Sequence, residues 1–190
     1  MMQRDLWAPW RMAYLRELEA SEAAARANGD TTAQRASTNF LLAAWRATAP
    51  DATAREEALH HHHVVIRDSH GIVILNRYPY ANGHVLIALG EPRPALGDYS
   101  SAQRAHFWRL VDEAAAAVQR AFSPQGINIG VNEGRAAGAG LPEHVHAHVV
   151  PRWGGDTNFM ATIGDVRVIP DSLDASWRLL RAAASGVTAS

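Results

Sequence analysis

Three histidines, His144, His146 and His148, stand at period two within Pro142-Glu-His-Val-His-Ala-His-Val-Val-Pro-Arg-Trp153. Alternate side chains of a β-strand leave from the same face, so this spacing predicts three imidazoles along one edge of a pocket. Such a row can ligate a metal or handle phosphate. Val145, Val149 and Val150, with Ala147 between them, bring β propensity and a partly apolar opposite face. The run Gly134-Arg-Ala-Ala-Gly-Ala-Gly140 comes just before, and loop amides beside imidazoles can cradle an anion. One histidine in a valine-rich strand reads as an ordinary core residue. Three in register behind a glycine-rich loop read as a site.

These residues need a sheet to hold them. Apolar runs predict strands at 64–67, 71–75, 84–89, 127–132 and 144–150. A long helix is predicted from Ser100 to Ala121, started by Ser100 or Ser101 and carrying Phe107, Leu110, Val111, Ala114 and Val118 as an apolar stripe. A second helix, from Ser172 to Ala184, closes the chain. The pattern predicts an α+β domain with a mainly antiparallel five-stranded sheet and packed helices. The regular strand-helix alternation of a doubly wound fold is missing, and the glycine loop lacks the spacing and lysine of a Walker loop.

Upstream, Leu6-Trp-Ala-Pro-Trp-Arg-Met-Ala-Tyr14 is aromatic enough to pack onto the body or a partner. An alanine-rich tract at 20–27 runs into the turn Asn28-Gly29-Asp30, and Phe40, Leu41, Leu42 and Trp45 give a short helical face. Residues 1–190 are expected to form one domain, with 1–60 as an amino-terminal helical and aromatic extension and 151–190 as a carboxy-terminal one.

A formal charge of −1 over 190 residues offers no general attraction for nucleic acid or an anionic membrane. Arg77, Arg135 and Arg152 can still set up a local positive field. No signal-peptide pattern or spanning apolar run is visible, so a cytoplasmic location is expected. The absence of cysteine excludes disulfides, thiol catalysis and cysteine-ligated zinc. His60, His61, His62 and His63 run straight into Val64-Val-Ile-Arg67, which favours a solvated strand entry over a metal site.

The segment His144-Val-His-Ala-His-Val-Val150 resembles the signature of the histidine-triad superfamily of nucleotide hydrolases and transferases. Asn76-Arg-Tyr-Pro-Tyr-Ala-Asn-Gly-His84 is similar to its asparagine-to-histidine segment, and Asn128-Ile-Gly-Val-Asn-Glu-Gly134 to its strand and phosphate-loop entry. Leu6-Trp-Ala-Pro-Trp-Arg11, Pro151-Arg-Trp-Gly-Gly-Asp-Thr-Asn-Phe-Met160 and Arg167-Val-Ile-Pro170 resemble the prokaryotic branch related to diadenosine tetraphosphate phosphorylases.

The resemblance implies nucleotidyl transfer through a covalent histidine. His146 matches the nucleophile that attacks an α-phosphorus, after which water or orthophosphate takes the nucleotidyl group. His144 and His148 would donate to phosphoryl oxygens or the leaving group, and His84 would complete the phosphate side. Asn76 would bind ribose hydroxyls or fix a catalytic ring, or simply close a turn. Asn132 would touch the phosphate chain or cap the loop. Gly138, Ala139 and Gly140 would offer backbone to phosphate. The implied partners are an adenine nucleotide or dinucleoside polyphosphate and a second copy of the chain. Alternatives are an adenosine phosphoramidase or related nucleoside-monophosphate hydrolase, and a noncatalytic nucleotide-binding module.

Two departures stand out. Relatives often carry serine, threonine or glutamine just before the three histidines, where this chain reads Gly138-Ala-Gly-Leu-Pro142. The branch also often carries a Cys-x-x-Cys pair and a further histidine that join the first histidine at structural zinc. Here the matching positions read Asn39-Phe-Leu-Leu42 and Glu91-Pro-Arg93. No metal is therefore expected to be required for folding, with packing by Phe40, Leu41, Leu42 and Trp45 in its place. A divalent ion bound to polyphosphate could still neutralise charge.

Overall fold

The computed structural model describes residues 39–50, 54–156 and 171–186. The aromatic segment 6–14, the alanine-rich tract and Phe159, Met160 and 167–170 lie outside them. In chain order the elements are α1 (Phe40–Ala47), α2 (Arg55–His61), β1 (Val64–Arg67), β2 (Gly71–Leu75), β3 (Val85–Leu89), α3 (Ser101–Phe122), β4 (Gly126–Val131), β5 (Ala147–Arg152) and α4 (Leu173–Ala184). The five strands form one antiparallel sheet in the order β1-β2-β3-β5-β4. This is the α+β architecture expected.

Helix α3 begins where its capping box directs. The Ser100 hydroxyl accepts from Gln103 N–H, and the Gln103 side chain accepts in return from Ser100 N–H. Its stripe of Phe107, Leu110, Val111, Ala114, Ala117 and Val118 is buried at the helical period. The stripe covers one face of the sheet, and at Gly71 an added Cβ would lie 2.6 Å from Leu110. Side chains alternate, so Val73, Val85, Ile87, Ala147 and Val149 face α3. His84, Leu86, His148, Asn128 and Gly130 share the opposite face. That alternation decides where chemistry can happen.

The two sheet edges differ. Along β1, Trp177 Nε1–H of α4 donates to Val64 O at 3.0 Å and Arg181 donates to Val65 O at 3.0 Å, so α4 occupies carbonyls at that edge. The β4 edge pairs with no other described strand, and Ile129 there is 47% exposed.

The four consecutive histidines depart from a simple solvated strand entry. His60 and His61 end α2, His62 caps it, and His63 turns into β1 with φ of 52°. His63 Nε2 lies 2.8 Å and His60 Nε2 3.2 Å from Asp174 Oδ1, and the His60 ring stacks on Trp177. The run is a seat for the first turn of α4, invisible in sequence because Asp174 is more than a hundred residues away.

Candidate active site

The chain reaches β5 through a turn. His144 N–H donates to Leu141 O and Val145 N–H donates to Arg93 O, so the strand starts at Ala147 instead of residue 144. His144 therefore does not line a pocket with its neighbours, which corrects the three-in-a-row expectation. Its ring is wholly buried, with Nε2 2.7 Å from Leu89 O and Nδ1 3.2 Å from Asn39 Oδ1. Asn39 is buried too, and its Oδ1 accepts from Leu42 N–H as the N-cap of α1. The capped start of α1 thus packs directly against the buried His144 ring.

Both His144 nitrogens face oxygen, which favours a proton on each, yet burial opposes the cation and wins. Burial pushes the His144 pKa down to about 4, against the pull of the Leu89 carbonyl, and His146 adds to the lowering. His144 is therefore neutral at pH 7, with its Nε2–H given to Leu89 O. In the unfolded chain the same ring titrates near 6.5. The unfolded state consequently binds more protons between pH 6.5 and 4, and stability falls as pH drops through that window. The loss from this group is on the order of 3 kcal/mol by pH 4. Urea unfolding at pH 7 and pH 5 is expected to show the weaker protein at pH 5; equal midpoints would contradict the neutral ring.

His146 and His148 do meet, with ring centroids 5.1 Å apart, and His84 joins them 5.2 Å from His148. Hydrogen bonds set the tautomer of each ring. Tyr80 N–H donates to His84 Nδ1 at 3.1 Å, and Asn76 Nδ2–H donates to the same atom at 3.3 Å. A nitrogen that accepts from a backbone amide carries no proton, so the His84 proton sits on Nε2. It is donated to His148 Nδ1 at 3.0 Å. The proton of neutral His148 is then on its own Nε2. His146 is turned the other way: its Nδ1–H donates to the His144 carbonyl at 2.8 Å, which leaves a lone pair on Nε2. Burial lowers the His146 pKa, against the opposing pull of that carbonyl, and keeps the lone pair available into mildly acid solution. A nucleophilic nitrogen and a proton-donating one are thus set side by side.

Asn76 closes an Asx turn by accepting from Tyr78 N–H at 2.9 Å while its amide reaches His84, so turn formation and ring fixing coincide. Asn132 follows directly after β4, whose Asn128 and Gly130 lie on the face of His148. Gly130 sits directly opposite His148, and no described atom lies within 4 Å of a Cβ built on it. Of the loop amides, Gly138 N–H donates to Arg135 O at 2.8 Å and Ala139 N–H donates to Gly134 O at 3.2 Å. These two amides serve the loop itself; Gly140 closes the run.

Two contributors went unnoticed in the sequence. Tyr80 supplies the amide that fixes His84 and lays its ring over it at 4.7 Å. Gly130 supplies space. The Tyr-Pro-Tyr turn carried a signal for the first, and nothing local marked the second.

Comparison with known proteins places this geometry. The HIT domain model matches residues 57–155. An AP-4-A phosphorylase of Mycobacterium tuberculosis is 35% identical over 182 residues, covering 94% of this chain and 85% of that protein. A zinc-bound histidine triad family protein from Mycobacterium smegmatis superposes with a TM-score of 0.57 at 28% identity, covering 75% of this chain and 91% of that one. A Hit-like protein involved in cell-cycle regulation from Bartonella henselae does so with a TM-score of 0.53 at 25% identity, covering 63% and 84%. The chain belongs to the histidine-triad (HIT) family, with that family's general nucleotidyl-transfer and hydrolase chemistry at a histidine-rich site. Among the described residues no helix is long and apolar enough to cross a membrane.

Proposed function

We propose that this protein cleaves dinucleoside polyphosphates, diadenosine tetraphosphate among them, through a nucleotidyl group carried on His146. The observation that carries the reading is the opposed pair of tautomers: a lone pair on His146 Nε2 beside a proton on His148 Nε2. The 35% identity to an AP-4-A phosphorylase over most of both chains supports the substrate class.

In the first step His146 Nε2 forms a bond to the α-phosphorus. The P–O bond to the remaining nucleoside polyphosphate breaks, and that oxygen leaves with the electron pair. His148 donates a hydrogen bond from Nε2 to the phosphoryl or leaving oxygen, while His84, held by Asn76 and Tyr80, keeps that ring in its donor form. His144 acts through its backbone carbonyl, which orients His146. In the second step an acceptor oxygen bonds phosphorus and His146 is released. Asn132 and Gly140 bind along the phosphate chain, with the backbone around Gly138 and Ala139 shaping the loop.

Incubation with diadenosine tetraphosphate, with and without orthophosphate, tests this reading. ADP plus ATP formed only with phosphate is the expected result; AMP plus ATP in water would make the protein an asymmetric hydrolase. Cleavage of adenosine phosphoramidate alone would replace the substrate class, and nucleotide binding with no turnover would make it a binding module.

We further infer that residues 1–190 act as one unit, with 1–60 and 151–190 as extensions, and that two copies associate. Phe107, Leu110 and Val111 are spent inside the protomer, which leaves Trp108, 44% exposed, and the β4 edge with Ile129 as contact surface. Light scattering is expected to give about twice the chain mass of 20.6 kDa. A stable, fully active species at the chain mass would exclude this association.

A further inference from the structure

Away from the site just described, Asp68 and His70 on the β1–β2 turn meet His106 of α3. One ligand atom from each lies within 4.8 Å of those of the other two. We propose that these three side chains bind one divalent cation of the zinc class and so clip the β1–β2 turn to α3. The location separates it from the histidines that handle nucleotide. Gly90 N–H donates to His70 O, which puts the turn at the far end of β3 from His84. At about 3.3 Å per residue, that is roughly 16 Å away.

The donor set suits the ion. Two imidazoles and one carboxylate make a three-ligand site that leaves a fourth position for water. Asp68 is already fixed: its Oδ1 accepts from His70 N–H at 2.7 Å and Gly71 N–H at 2.8 Å, which aims Oδ2 at His106 Nε2, 2.7 Å away. The His70 ring lies 4.7 Å from the His106 ring and is steadied by the Ser69 hydroxyl, 2.6 Å from its Nδ1. A metal would sit between His106 Nε2 and Asp68 Oδ2, and tetrahedral bonds of about 2.0–2.1 Å would spread that N···O pair to roughly 3.3 Å. That pair would open by about 0.6 Å, while the His70 ligand atom, within 4.8 Å of the other two, would close toward the same spacing.

Arg109 works against the ion. Its guanidinium donates to His106 Nδ1, whereas a metal on Nε2 puts the ring proton on Nδ1. The side chain is well exposed and has Glu113 at 3.9 Å to turn toward, so it can withdraw at small cost. Arg109 is thus a competing cation, and its removal should strengthen binding. The site differs from the cysteine-and-histidine zinc clip whose positions read Asn39 and Leu42 here, and from the His60–His63 run, where Asp174 already engages two rings.

Zn²⁺ titration of the untagged full chain against a chromophoric chelator tests the proposal. His61 and His62 would be changed to Gln to suppress the competing run. One equivalent is expected to bind, tighter than about 100 μM, and to raise Tm. His70→Ala, an exposed change that should leave the metal-free Tm alone, is expected to weaken binding by about tenfold or more. His106→Asn should do likewise, and Arg109→Gln should tighten it. Absence of such an equivalent, or affinity unmoved by both histidine changes, would overturn the proposal and, in the latter case, assign the ion to other histidines. Diadenosine tetraphosphate turnover is not part of this readout, so failure here leaves the proposed activity standing.

Discussion

His146→Ala is expected to lower kcat for dinucleoside polyphosphate cleavage by about 10⁴-fold or more while the protein stays folded and keeps most of its nucleotide affinity. The size follows from the role: without Nε2 there is no atom to form the covalent bond, and both displacements vanish together. The stability cost is smaller. The change leaves the His144 carbonyl without its donor, which costs about 1–3 kcal/mol if nothing replaces it, and water at the site can do so. Rescue of His146→Gly by added imidazole would give the positive form of the same result. Turnover close to the parent's in the alanine variant would remove His146 from the mechanism. His148→Ala is expected to be milder, because it takes away a hydrogen-bond donor and leaves the nucleophile in place.

Local signals in the sequence located most of the scaffold. Alternating and continuous apolar runs placed β1 and β2, and the Ser100–Gln103 box placed the start of α3. Period two predicts a strand from residue 144, whereas the strand begins at Ala147, since that spacing is also compatible with a turn that happens to end in phase. Proline at 142 and the Leu141–His144 bond make that turn. Burial of His144 against Asn39, the seat that His60 and His63 make for Asp174, and the meeting of Asp68 with His106 all join distant segments. No window of a single sequence contains both partners of such contacts. The tautomers of His84 and His148 were equally hidden, because they depend on the backbone amide of Tyr80 and not on any side-chain spacing.

That dependence makes the turn before His84 a sensitive place. Gly83 has a φ of +78°, and a Cβ built on it would lie 2.3 Å from Phe122 Cε2, at the end of α3. Gly83→Ala therefore carries two separate penalties, a left-handed backbone that alanine disfavours and a clash with a ring of limited freedom. Together they are expected to cost about 3 kcal/mol. The two can be told apart by a double-mutant cycle with Phe122→Ala, which removes the ring and leaves the backbone term. In that background Gly83→Ala should cost only about 1–2 kcal/mol. Urea unfolding of the four proteins measures the difference, and strictly additive costs would show that Phe122 is not what excludes a side chain. Activity should fall further than stability alone explains. His84 N–H is bonded to Ala81 O at 3.1 Å and His84 O accepts from Asn76 N–H at 2.9 Å, so a shifted Gly83 moves the ring that holds His148 in its donor form. A displacement near 1 Å can cost about 10²-fold in rate, and relieving the clash through Phe122 should recover part of kcat as well as part of the stability.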